Sequence, residues 1–218
     1  MPTPMDPFIA HDPTFAAVTG AAPRLVKLVD TDAHEGPVYV PEEDALYFTT
    51  LPTRTDVPLP GSRQVAIKRL ALDGDRFPLA QEHLTTIREP ARSNMANGMA
   101  LDRQGRLLIC EQGTRFEPGR ISRLDPRTGI VEAVVEQWSG LRLNSPNDVV
   151  EKSDGTIWFT DPSYGYLQNF KDAPQLGHCS LLLLFAFAPR RRMKVQYSVK
   201  GLGRLGSPKT SWPCELTV

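Results

Sequence analysis

The alternation of apolar and polar positions repeats itself three times along the chain. The stretches are "EGPVYVPEEDALYFTT" from Glu35, "NGMALDRQGRLLICE" from Asn97 and "NDVVEKSDGTIWFTD" from Asn147. Each opens on an acid or amide, enters a short apolar strand, reverses at a polar turn and leaves on a second apolar strand. The turns are Glu42-Glu43-Asp44, Gln104-Gly105 and Asp154-Gly155. The second strands are Leu46-Tyr47-Phe48, Leu107-Leu108-Ile109 and Ile157-Trp158-Phe159. β-Branched and aromatic residues flanking turn chemistry mark hairpins.

The intervening segments read the same way. "RQVAIKRLALDGDRFPLAQ" places an Asp73-Gly74 turn between alternating strands, and "GRISRLDPRTGIVEAVVEQW" places Asp125-Pro126-Arg127-Thr128-Gly129 between two more. Two hairpins per repeat of about 50 residues give four strands, the content of a β-propeller blade. No long helical period competes with it. The expected fold is all-β, a β-propeller with about three blades present. A blade cannot bury both faces alone, so blades pack radially around a channel. A polar residue just ahead of each innermost strand then stands at the channel rim. Glu35, Asn97 and Asn147 hold that place in three successive blades.

Charge divides the chain. From Lys171 onward there are eight Lys/Arg and two Asp/Glu, whereas the whole chain has 25 of each. The basic end lacks the aromatic interleaving and the modules of nucleic-acid binders, so nucleic acid is not an expected partner. The apolar run "CSLLLLFAFA" at 179–188 is too short to cross a bilayer. The start "MPTPMDPFIAHDP" lacks the basic and apolar regions of a signal peptide. Cys110, Cys179 and Cys214 describe neither a disulfide framework nor a zinc cluster. A cytoplasmic, reducing location is the expectation. "GLGRLG" at 201–206 matches the dinucleotide fingerprint, but Pro208 and Pro213 prevent the helix that fingerprint needs.

"EGPVY", "NGMALDRQGRLLICEQG", "RISRLDPRTG" and above all "NSPNDVVEKSDGTIWFTDPSYG" resemble the gluconolactonase, regucalcin (senescence marker protein) and luciferin-regenerating-enzyme-like family. The resemblance covers about residues 30–177. It implies a six-bladed parent propeller with a divalent cation in its channel, most readily Ca²⁺, with Mg²⁺ and Zn²⁺ as alternatives. It implies hydrolysis of a sugar lactone or related ester, with a small-molecule lactone as partner. Glu35 matches the family's first metal ligand and Asn147 its second. Asn97, Asp148 and Tyr164 are the expected substrate-side residues. Ser145 stands where some members that act on sugar acids carry an arginine, so their substrate preference does not carry over. The family's further Asn ligand and its catalytic base Asp belong to blades beyond residue 177, so no catalytic residue is assigned.

Three segments are therefore expected: an N-terminal segment 1–29, a partial propeller 30–177, and a divergent basic tail 178–218, disordered or read from an aberrant gene end. An incomplete propeller would leave blade edges open to self-association. The alternative function is a non-catalytic propeller that binds a metal or a partner. Other residues have ordinary expectations. Trp158 and Phe159 belong to the blade core, Glu111 at a strand end is solvated, and Asn147 and Asp148 could cap a turn.

Overall fold

Turn chemistry sets the first level of structure. Asp44, Gly105 and Gly155 all adopt left-handed backbone, at φ 44°, 75° and 82°. They close the three hairpins where the polar turns stand in the sequence. The computed structural model describes residues 11–20, 22–56, 62–74, 76–138, 140–176 and the backbone of 182–184. A short helix α1 (Ala16–Thr19) precedes the sheets.

The first sheet contains β1 (Ala33–Val40) and β2 (Ala45–Thr50). A separate hairpin of β3 (Thr53–Thr55) and β4 (Ser62–Gln64) follows, and the chain then returns as β5 (Ile67–Ala71) and β6 (Leu84–Arg88). The sheet order is β1-β2-β5-β6, antiparallel throughout. The second sheet runs β7 (Ala96–Leu101), β8 (Leu107–Glu111), β9 (Arg120–Leu124) and β10 (Val131–Val135) in sequence order. A small hairpin joins β11 (Gln137–Trp138) to β12 (Leu141–Arg142). The third sheet pairs β13 (Val149–Glu151), β14 (Ile157–Phe159) and β15 (Leu182–Leu184), with helix α2 (Tyr164–Leu167) after β14. β15 adds a strand beyond the boundary expected at 177; the rest of the 178–218 segment, including 201–206, lies outside the described residues.

The innermost strands β1, β7 and β13 pack in a row. The result is a partial β-propeller whose sheets do not close. No described helix is long and apolar enough to cross a membrane.

Period-two alternation decides what fills the space between blades. Ala45 and Tyr47 of β2 face one way, with Val38, Val40 and Ile67, against Met99, Leu107, Ile109 and Leu124 of the second sheet. Leu108, Cys110 and Ile121 face the other way, against Val149, Ile157 and Phe159. Burying each large aliphatic side chain contributes about 1.5–3 kcal/mol. Phe159 is core as expected, whereas Trp158 is only half-buried, because it lies on the opposite face of β14.

One segment departs from the expected hairpin. The strand after Asp73-Gly74 is not "RFPLAQ" but the later β6. Phe77 and Leu79 instead pack with Leu28 and Val29 onto Phe48 and Leu70, on the face of the first sheet away from the second. Pro78 has no N–H to give a ladder, which disfavours an inner strand there. The Leu79 amide binds the Leu28 carbonyl at 2.6 Å and holds this cover in place.

Buried charge is handled locally. Glu111 is fully buried rather than solvated. Its carboxylate meets Arg88 at 3.3 Å and Arg120 at 2.7 Å, and accepts from Ser122 Oγ at 2.5 Å. A strand end next to one arginine from the adjoining strand and one from the other sheet can bury an acid that would otherwise seek water. Asp161, also fully buried, accepts from the Asn144 and Ser145 amides at 2.8 Å each. Burial pushes its carboxyl up to about 6, opposed by those amides and by Lys171. Burial likewise brings Lys171 down to about 8, opposed by Asp161.

Two outcomes are expected. Glu111→Ala leaves two arginines facing a buried gap and should cost about 3–5 kcal/mol in urea unfolding; a loss under 1 kcal/mol would show the cluster to be unimportant. The folded-state pKa of Asp161 lies above its ordinary value of 3.8. Between about pH 4 and 6 the folded protein therefore holds a proton that the unfolded chain has already released. Relative to Asp161→Asn, the wild type should be most favoured near pH 4 and lose on the order of 2–3 kcal/mol of that advantage by pH 7. Urea midpoints of both proteins at pH 4, 5 and 7 read the sign; a difference independent of pH would refute it.

Candidate metal and lactone site

The three candidate rim residues come from strands brought together at one end of the sheets. Ala33 and Glu35 of β1 lie opposite Thr50 and Thr49 of β2. Ala96 of β7 lies opposite Glu111 of β8, and Val149 of β13 opposite Phe159 of β14. The connections 51–66, 112–119 and 160–176 therefore all emerge at the end where the inner strands begin. They also touch one another. Arg63 donates to Gln168 Oε1 at 3.0 Å and lies 5.9 Å from the Phe170 ring centre. Arg115 donates to Asn169 Oδ1 at 2.9 Å.

Main-chain contacts fix the spacing of the rim. Thr49 Oγ1 donates to the Glu35 carbonyl at 3.0 Å and is placed 3.1 Å from the Asn97 carbonyl. The Gly98 amide donates to the Asn147 carbonyl at 2.8 Å. This approach needs glycine. A Cβ on Gly36, which sits at φ +55°, would stand 2.7 Å from the Asn97 carbonyl oxygen, and one on Gly98 would stand 2.3 Å from that of Asn147. The structure thus places Glu35, Asn97 and Asn147 along three adjoining strand openings.

Their side chains differ in environment. Glu35 is exposed. Asn97 Oδ1 is buried and has no hydrogen-bond donor among the described residues. Asn147 Oδ1 accepts from Gln112 Nε2 at a long 3.3 Å. Asp148 is exposed, and its Oδ1 accepts from the Val149 amide at 2.9 Å, the local cap that the sequence also allowed. Tyr164 is exposed at the start of α2, in the 160–176 connection. Among the described residues no three His, Cys, Asp or Glu side chains cluster closely enough to hold a metal. A cation here would depend on carboxamide and main-chain oxygens beside Glu35, a donor set suited to a hard ion.

Several residues at this end were not singled out by the sequence pattern. Asn94 and Met95, just before β7, both adopt left-handed backbone at φ 50° and 58°. Such geometry in two successive residues other than glycine is costly and is held only by its surroundings. Their carbonyls accept from the Gly113 and Gln112 amides at 3.1 and 3.0 Å. Asn94 Oδ1 is a second buried acceptor without a described donor. A cleft of about 110 Å³ lies beside the rim, where Arg115, Arg142, Ser145, Tyr166 and Lys171 are among its walls. In the sequence, Asp161 looked like part of a turn and Lys171 like the start of the basic end. Neither has a spacing that announces a pair.

Similarity to known proteins identifies the family. The model of the SMP-30/gluconolactonase/LRE-like region matches residues 33–178. A gluconolactonase of Zymomonas mobilis is 30% identical over 163 residues, covering 70% of this chain and 42% of that protein. Lactonohydrolase OryL of Aspergillus oryzae is 29% identical over 161 residues, covering 68% of this chain and 33% of that protein. The structure of a Xanthomonas campestris gluconolactonase superposes with a TM-score of 0.52 and 28% identity, over 70% of this chain and 45% of its own. The chain spans less than half the length of each of these relatives. With the matched region filling most of the chain and the blades paired as described, the protein belongs to the SMP-30/gluconolactonase/LRE-like family.

Proposed function

We propose that Glu35 and Asn147 at this rim bind a divalent cation, calcium in the first place, with Asn97 between them on the substrate side, and that the chain hydrolyses a sugar lactone or related ester there. The observation that carries this reading is Asn97 Oδ1, a buried acceptor without a described donor at the middle of three adjoining strand openings. Leaving such an oxygen unmet costs about 1–3 kcal/mol, and a cation or a substrate hydroxyl would relieve it. Glu35 would supply the negative charge and Asn147 a neutral oxygen. Asp148 and Tyr164 stand at the same end and would meet the substrate. A bound cation of this kind polarises a lactone carbonyl and acidifies a bound water. Oxygen-only donors favour calcium or magnesium over zinc.

A second reading is a metal- or partner-binding module without turnover. It is favoured by the donor set, which offers carboxylates at Glu35 and Asp148 but no described acid with the geometry of a positioned base. Hydrolysis of glucono-δ-lactone by the full chain, with calcium and with EDTA, separates the two. The first reading expects turnover that EDTA abolishes and calcium restores. Calcium binding without turnover establishes the second. Glu35→Gln keeps the shape and removes the charge. At about 1.5–3 kcal/mol for a charged contact, it should weaken calcium binding roughly 10- to 100-fold in calorimetric titration. Equal affinity in wild type and variant would remove Glu35 from the site.

A further inference from the structure

The approach to β13 is held by two charged groups. Asp161 takes the Asn144 and Ser145 amides, and Asn144 Nδ2 returns a bond to the Asp161 carbonyl at 3.1 Å. Lys171 Nζ donates to the carbonyls of Gln112 at 2.8 Å, Leu143 at 3.3 Å and Asn144. An ammonium group has three N–H bonds, and three carbonyls take them. The Gln112 carbonyl belongs to the second blade; those of Leu143 and Asn144 lead into the third.

The lysine lies in a slot cut by glycines. A Cβ on Gly165 would stand 2.6 Å from Lys171 Cδ and 2.6 Å from Ser145 Oγ. One on Gly119 would stand 3.1 Å from Lys171 Nζ. Gln112 is also held at its amide and at Nε2. Its amide binds the Met95 carbonyl at 3.0 Å, and its Nε2 reaches Asn147 Oδ1 at 3.3 Å.

We propose that Lys171 is a positioning residue: by tying the Gln112 carbonyl to the chain at Leu143 and Asn144, it sets the Gln112 and Asn147 carboxamides relative to each other, and so fixes the oxygen that Asn147 presents at the rim. The part of this that concerns a cation rests on the function proposed above; the part that concerns the carboxamides does not. Asp161 is its counterweight. The two charges act on one short segment, each satisfied by main-chain groups of opposite polarity. A compact ammonium suits three converging carbonyls, whereas a planar guanidinium does not. Arginine at 171 would therefore keep the charge and lose the geometry.

The test uses the full ¹⁵N-labelled chain without metal, comparing wild type with Lys171→Met and Lys171→Arg. The side-chain NH₂ signals of Asn147 and Gln112 are read beside the amides of Phe48 and Ser122 as reporters. Both variants are expected to displace the Asn147 and Gln112 carboxamide signals while the reporters keep their positions. If Lys171→Met does not fold, Lys171→Arg decides. Unmoved carboxamide signals in a folded variant overturn the proposal. So does a Lys171→Arg spectrum in which the reporters collapse together with them, since Lys171 would then be merely structural. A calcium titration follows, in which the variants should bind about 10- to 100-fold more weakly, the usual loss when a group supporting a ligand is removed. If the wild type binds no calcium but its carboxamides respond as expected, the cation reading fails and the positioning role stands. If the wild type binds calcium and the folded variants bind it equally well, the positioning role fails.

Discussion

Two glycines let the innermost strands of neighbouring blades approach until their main chains touch. Gly36 lies against the Asn97 carbonyl, and Gly98 against that of Asn147. Everything at the rim inherits its spacing from these contacts. Thr49 extends the row by placing one hydroxyl between the Glu35 and Asn97 carbonyls. Side chains at such positions would push the strands apart, and residues drawn from far along the sequence would no longer share one edge. The apolar clusters between the sheets supply the driving force for packing, but a cluster of leucines and isoleucines tolerates small shifts. The glycine contacts do not, because repulsion rises steeply below about 3 Å.

Among the described residues, charge is buried around that row at three places, each answered by a different set of partners. Asp102 serves the hairpin turn of the second blade, accepting from the Gln104 and Arg106 amides at 2.9 Å and pairing with Arg106 and Arg123. Glu111 is neutralised by arginines from β6 and β9. Asp161 and Lys171 are answered chiefly by main chain, which does not move independently of the fold. Removing charge from water costs several kcal/mol per ion, so each arrangement must be nearly complete to be tolerated. At the end where the inner strands begin, this completeness has a structural consequence. It holds the loops that carry Gln112 and Asn147 while leaving Asn97 Oδ1 without a described donor. A site that must accept a ligand needs some polar atoms unmet and the rest firmly held.

Much of the architecture was legible in the sequence, because blade grammar is local. The polar opening, the apolar strand and the turn residue with left-handed backbone all lie within about 15 residues, and Asp44, Gly105 and Gly155 fell where the turns were read. The resemblance carried by "NSPNDVVEKSDGTIWFTDPSYG" agreed with the family match. Pattern failed where a residue answered to a distant neighbour. Glu111 reads as a solvated strand end until Arg88 and Arg120 are seen beside it. Trp158 reads as core because apolar neighbours flank it, yet strand alternation turns it to the other face. "RFPLAQ" reads as a strand, but its apolar residues had a bare sheet face to cover.

The sequence by itself determined most of the strands, their turns, the blade period and the polar residue ahead of each inner strand. These follow from local propensity and two-residue alternation, which need no partner. Only the tertiary structure decided which polar groups are buried, which are paired and which remain unmet. Those outcomes depend on distance and desolvation between residues such as Gln112, Asp161 and Lys171, which lie far apart along the chain and meet only when the second and third blades pack.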